Sequence, residues 1–215
     1  MVSGLTKEEF ELAKELTNIA LANAATSFSK IMKDNVTFQK IQLNPSSLKF
    51  NKGYISAKNH LFILITDFMG EVLADSFLIF NPANAQQTAD AMFGKPCAEQ
   101  MRDAVLLELD NILAASVATK FSDILERDIK GDVPQLERKK FIQAQSFVTK
   151  KLTAPDTHFS FTTIFKSEKM GIEAHFICAF KAEFADTIKK ISREQGNANE
   201  MIQSQKESAK RFIGM

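Results

Sequence analysis

The sequence has no tryptophan, one tyrosine, two cysteines and three histidines in 215 residues. It therefore offers little for recognition by ring stacking, and its nineteen phenylalanines point instead to a dry core. Cys97 and Cys178 stand far apart, with no C-x-x-C spacing and no histidine cluster near either, so neither a disulfide framework nor a zinc site is expected. Reduced, intracellular thiols are the expectation. His60, His158 and His175 are scattered through strand-like segments and read as structural, which leaves a His-based triad or metal centre little to work with. No stretch approaches the roughly 18 apolar residues that a membrane span needs. The opening MVSGLTKEEFELAKEL carries acids where a signal peptide would have an apolar run. A soluble, cytoplasmic protein with no membrane partner is expected. Lys and Arg number 27 against 26 Asp and Glu, so no global field favours nucleic acid.

What the chain does contain is 45% hydrophobic residues, enough for a core in one large domain or two small ones. It also contains one stretch twice. Residues Glu15 to Val36, ELTNIALANAATSFSKIMKDNV, align without a gap to Glu108 to Ile129, ELDNILAASVATKFSDILERDI, at an offset of 93, with ten of 22 positions identical. Both are expected to be long helices. Leu16, Ala20, Ala24, Phe28 and Ile31 recur at helical spacing, as do Leu109, Leu113, Val117, Phe121 and Ile124, and that stripe is the expected buried face.

After the first helix come strand-like runs, VTFQKIQL from Val36, YISAKNHLFILITDFM from Tyr54 and EVLADSFLIF from Glu71, the last two parted by a turn at Gly70. They predict a three-stranded antiparallel meander. Asn81-Pro82 then opens a short amphipathic helix that stops at Gly94 and Pro96. The second half repeats the plan: long helix, a strand region from Val133 to Lys150, HFSFTTIFKS from His158, a turn at Met170-Gly171, IEAHFICAF, and a helix from about Ala182. The Met69-Gly70 and Met170-Gly171 turns correspond at an offset of 101, so the copy carries eight extra residues. A longer first strand with a solvated turn at Glu137 to Lys140, ERKK, accounts for them.

The expected fold class is α+β. A single pseudo-twofold domain is built from two helix-β-β-β-helix repeats, which pool their strands into one mainly antiparallel six-stranded sheet with the two long helices packed on it. Half one runs over about 7–95, half two over about 98–191, and a C-terminal helical tail over 192–215.

The identities between the halves are not spread evenly. At about 100° per residue, Glu15, Asn18, Ile19, Ala22, Ala25, Thr26 and Ser29 fall within an arc of about 120°. Their copies are Glu108, Asn111, Ile112, Ala115, Ala118, Thr119 and Ser122. Core positions tolerate exchange of similar apolar residues, so packing alone does not require this face to be retained. A seam of small residues between the long helices accounts for the alanines. It leaves Glu15 with Asn18, and Glu108 with Asn111, unexplained: a charge and an amide one turn apart, twice.

These paired helices resemble those of the CheC, CheX and FliY phosphatases of chemotaxis, and GEVLADSFLIFNPANAQQTADAMFG resembles the hairpin and helix that follow the first of them. The resemblance covers nearly the whole chain up to the tail, and two complete halves without a further domain look most like CheC. The family's motif is an acid or Ser four residues before the Glu, then E-x-x-N, then Pro after a 22-residue gap. The first half has Glu11, Glu15 and Asn18, but Ile41 stands where Pro is expected and Pro45 comes later. The second has Glu108, Asn111 and Pro134, but Ala104 in the leading place with Asp103 beside it. Both halves stand as candidate sites.

The resemblance implies hydrolysis of the aspartyl phosphate of a CheY-type response regulator. Such an acyl phosphate has a good leaving group, and the regulator brings its own magnesium ion, so this chain needs no cofactor and no metal of its own. What remains is to place a water in line with the leaving oxygen. Asn18 and Asn111 would orient that water, since an amide both donates and accepts without titrating. Glu15 and Glu108 would pair with the regulator's active-site lysine, and Ala22, Ala25, Ala115 and Ala118 would let the helix lie close against the partner. A non-catalytic module of the same fold, binding a response regulator, a CheD-like deamidase or a flagellar-switch component, is the alternative. A stand-alone hydrolase of small acyl phosphates lacks a Gly-rich cradle or an Arg cluster.

Overall fold

The computed structural model describes residues 4–39, 41–50, 54 and 60–194. In chain order its elements are α1 (Lys7–Met32), β1 (Val36–Phe38), β2 (Gln42–Leu43), β3 (His60–Gly70), β4 (Ala74–Phe80), α2 (Pro82–Phe93), α3 (Glu99–Leu125), β5 (Ile129–Gly131), β6 (Gln135–Lys140), α4 (Phe141–Leu152), β7 (Phe159–Ser167), β8 (Glu173–Phe180) and α5 (Ala182–Arg193). Residues 55–59 of the second expected strand and 195–215 of the tail lie outside the described residues.

The long helices are α1 and α3. A capping box starts α1: Thr6 accepts from the Glu9 amide while the Glu9 carboxylate accepts from the Thr6 amide. Both helices end on a residue in the left-handed conformation, Lys33 and Glu126, 93 positions apart. Their apolar stripes are buried as expected, with only Ile31 half-buried.

The strands form one antiparallel sheet in the order β1-β7-β8-β4-β3-β5, with β2 also paired to β7 and β6 to β3. Eight segments therefore occupy six ranks, because each edge rank is interrupted once. The breaks contain Ile41 and Pro134, the positions that correspond in the two halves. The expected meander within each half is not formed. The first strand of each half pairs with the hairpin of the other: β1 and β2 with β7, β5 and β6 with β3. The packing of α1 explains this. Phe10 near its start lies against Phe159 and Phe28 near its end lies against Phe165, so α1 runs along β7, and the chain leaving it turns back beside β7 as β1.

Repeat-equivalent residues meet at two points. Asn23 donates to the backbone carbonyl of Ser116, its own copy at the offset of 93, at 2.9 Å. On the sheet, Phe77 pairs with Ile177 at the centre of the β4–β8 ladder, and these correspond at the offset of 100 that separates α2 from α5. The offset is still 93 at β1 and β5, so the added residues lie between β5 and β8. They are helical. The strand region expected over Val133 to Lys150 ends at Lys140, and α4 follows, burying Ala144, Val148 and Leu152 at four-residue spacing. ERKK is not a turn: Glu137 to Lys140 lie in β6 and pair with His60 to Ile63 of β3.

Helices cover both faces of the sheet. The main core joins α1, α3 and Phe184 of α5 to Phe62, Phe68, Phe161, Phe176 and Phe180, and a second core joins α4 to Ile63, Phe77, Ile79 and Ile177. Central strands β4 and β8 are buried along almost their whole length on both sides. At the β3–β4 turn, Gly70 has φ +109°, and a Cβ there would lie 2.2 Å from the Asp128 carbonyl oxygen, which already accepts from the Glu71 amide. Gly70→Ala is expected to destabilise the protein by roughly 2 kcal/mol or more, measurable as a fall in the urea midpoint.

Candidate functional site

Because the apolar stripes of α1 and α3 are turned to the sheet, the face bearing the retained residues is turned away from it. The two copies of that face differ. On α3, Glu108, Asn111, Ala115 and Thr119 are all exposed, in line with Met101 and Ala104 nearer the helix start. On α1, Glu15 and Asn18 are half-buried, Ala22 and Ala25 are buried, and the positions matching Met101 and Ala104 are Glu8 and Glu11. Ala118 is buried, so Ala115 alone of the four candidate alanines is exposed. Among the described residues, neither amide side chain makes a hydrogen bond and Glu108 has no ion-pair partner.

Other members of the retained face have structural work. Ser29 accepts from the amide of Val36 at 2.9 Å and donates to the Ala25 carbonyl at 2.8 Å, fixing the chain as it leaves α1 for β1. Its copy Ser122 donates to the carbonyl of Arg127 at the same place after α3. Retention of this serine follows from the turn into the edge strand. The hydrogen bonds joining the long helices run through Asn23, Ser27 and Ser116, and bypass Ala22, Ala25 and Ser29.

The leading positions of the two motifs are also accounted for. Glu11 pairs with Lys14 at 2.9 Å, and Asp103 pairs with Arg138 and Arg102. Both arginines lie over the ring of Phe62, at 4.5 and 5.1 Å, and Glu99 completes the cluster. This anchors the start of α3 to β3 and β6. No sequence pattern brought Arg102 and Arg138 together, and the acids beside them neutralise them.

The motif holds one further chemistry-bearing residue. Asp110, between Glu108 and Asn111, is fully buried in the middle of the apolar stripe and accepts from the Thr66 hydroxyl of β3 at 2.7 Å. Its other oxygen has no partner. Burial pushes its carboxyl up to about 7, against the smaller opposing pull of the Thr66 hydroxyl. The first half has Thr17 here, satisfied by the Ala13 carbonyl. A charged residue within a leucine stripe was the available signal.

The histidines lie apart from this face. His175, on β8, is buried against Phe50 and Tyr54, and burial lowers it to about 4. Among the described residues no group of three or more His, Cys, Asp or Glu side chains could hold a metal ion, and no helix is long and apolar enough to cross a membrane. Both cysteines are free thiols.

The architecture is an α+β fold that this chain shares with chemotaxis proteins of known structure. Thermotoga maritima FliY superposes with a TM-score of 0.61 at 19% identity, over 94% of this chain and 99% of that one. Borrelia burgdorferi CheX, solved in a complex with CheY, BeF3 and Mg2+, gives 0.56 at 14% identity over 76% and 96%. FliM from the H. pylori FliM–SpeE complex gives 0.54 at 12% identity over 88% and 97%. No protein-family model and no curated protein matches the sequence.

Proposed function

We propose that this chain belongs with the CheC, CheX and FliY phosphatases, hydrolyses the aspartyl phosphate of a CheY-type response regulator, and does so chiefly with α3. The observation that carries this reading is the exposed Glu108, Asn111 and Ala115 line, one turn between successive members, whose polar side chains have no partner among the described residues. A protein stabilises no part of its own fold with such a pair. The common fold with CheX, which was crystallised with CheY, supports a response regulator as the partner.

In this reading α3 lies across the regulator's phosphorylation site, and the small Ala115 side chain allows close approach. Glu108 pairs with the regulator's lysine, which fixes the helix in register. The Asn111 carboxamide then holds a water opposite the acyl oxygen. The water oxygen bonds to phosphorus, the bond from phosphorus to the acyl oxygen breaks, the aspartate carboxylate leaves, and the water's proton ends on the released phosphate. The regulator's magnesium ion neutralises phosphoryl charge. The chain supplies position only, an effect large enough to account for hydrolysis of a mixed anhydride that is already activated.

Glu108→Lys should raise the regulator concentration needed for half-maximal acceleration by about tenfold or more, the worth of one charge-assisted contact replaced by repulsion. Titrating the decay rate of a phosphorylated regulator against the variant checks this. An unchanged concentration dependence would remove Glu108 from the interface. Tight complex formation by the wild-type chain with an unaltered phosphate lifetime would favour the non-catalytic module.

A further inference from the structure

Asp110 is joined to the site by the helix backbone alone, yet it is the least comfortable side chain in α3. Its carboxyl has no exposed surface and only Thr66 for a partner. The packing one turn further on is close. One turn on, Ala114 packs at Gly131 of β5, where an added Cβ would stand 3.3 Å from Thr66 and 4.0 Å from Ala114.

The charged groups on the elements around α3 are engaged elsewhere. Arg138 of β6 pairs with Asp103, Lys130 of β5 with Asp128, and Asp90 of α2 bonds Gln86 and Cys97. Asp67 of β3, next to Thr66, is exposed on the opposite face of the sheet beside Asp75 and Lys151. Lys181, at the start of α5, pairs with Asp75 and Asp156. From α1 the side chains bonded across to α3 are the neutral Asn23 and Ser27. Burial and the Thr66 hydroxyl are the two influences acting on Asp110.

We propose that Asp110 is a positioning residue for Asn111: as a neutral acid it lets α3 sit at its present distance from β3, and its ionisation loosens that contact and moves the amide out of register. The catalytic consequence rests on the reading of Asn111 as the working amide; the movement itself does not. A dry carboxylate with one hydrogen bond is expensive, and the accessible relief is displacement of the helix turn that carries it. That turn holds Asn111. Neutral pH is where the change falls, because the group titrates near 7.

The test follows the side-chain amide resonances of Asn111 in proton–nitrogen correlation spectra between pH 5.5 and 8.5, with no regulator present. The wild type should show a titration with its midpoint near 7, and Asp110→Asn should abolish it. Asp110→Thr, which installs the residue the first half has here, serves if the asparagine variant folds poorly. In a parallel decay assay with phosphorylated regulator, the ratio of variant to wild-type rate should rise several-fold from pH 6 to 8.5. An Asn111 signal that does not titrate, or titrates equally in both variants, overturns the proposal. Titration without any acceleration of dephosphorylation at any pH leaves the coupling standing and overturns the phosphatase reading instead.

Discussion

Asn111→Ala should lower the acceleration of regulator dephosphorylation on the order of 10²-fold, the scale of losing a positioned reactant, whereas Asn18→Ala should change it less than about threefold. The difference follows from exposure. Asn111 stands on an open ridge with exposed Ala104, Glu108 and Ala115, and Asn18 is half-buried on a helix whose matching alanines are buried. Truncating either amide leaves no buried group unpaired, since neither has a side-chain hydrogen bond among the described residues. Both variants should therefore unfold within about 0.5 kcal/mol of wild type. Decay of phosphorylated regulator, followed with each variant at equal concentration, measures the contrast. Equal losses would make the two helices equivalent, and a loss confined to Asn18→Ala would reverse the assignment.

The second large effect is on stability. Asp110 should make the protein less stable as pH rises, opposite to the usual behaviour of an ion-paired carboxylate. Its folded value near 7 lies above the ordinary 3.8, so between the two the folded state binds more protons than the unfolded state. Unfolding free energy then falls by about 1.4 kcal/mol per pH unit. Below about pH 4 the group is protonated in both states and contributes nothing. Above about pH 7 the penalty is complete, on the order of 4 kcal/mol. Asp110→Asn removes this slope while keeping the shape and the hydrogen bond to Thr66. Denaturant unfolding of both proteins at pH 4.5, 6 and 7.5 should show the wild type losing ground to the variant at each step. Parallel pH dependence would mean that the carboxyl is already ionised at low pH, and hence hydrated.

Much of this architecture is legible from the repeat. Leu16, Phe28, Leu109 and Phe121 announce two helices with one buried face each, and the ungapped offset of 93 carries through to β1 and β5. Strand exchange between the halves is not written locally. Val36 to Phe38 carries no mark saying whether it pairs with His60 to Gly70 or with Phe159 to Ser167, and only the packing of α1 along β7 decides it. Helix α4 was hidden for another reason. Phe141 to Leu152 has apolar residues compatible with both alternation and a four-residue period, and only the uncovered far face of the sheet selects the helix. Of the site, Glu108 and Asn111 were visible through duplication. Their advantage over Glu15 and Asn18 was not, because it depends on what surrounds each helix. Ser29 and Ser122 were visible too but belong to the turn, a distinction that needs the bond to Val36. Asp110 shows the converse. Its polarity broke the apolar stripe in plain view, and its meaning emerged only once Thr66 stood opposite.

The most direct measurement is the lifetime of a phosphorylated CheY-type regulator with and without a substoichiometric amount of this chain, in the presence of magnesium. Each molecule should turn over many phosphoryl groups and shorten the lifetime by about tenfold or more, an effect lost on Asn111→Ala. A lifetime unchanged by the wild-type chain, at concentrations where the two proteins form a complex, would contradict it.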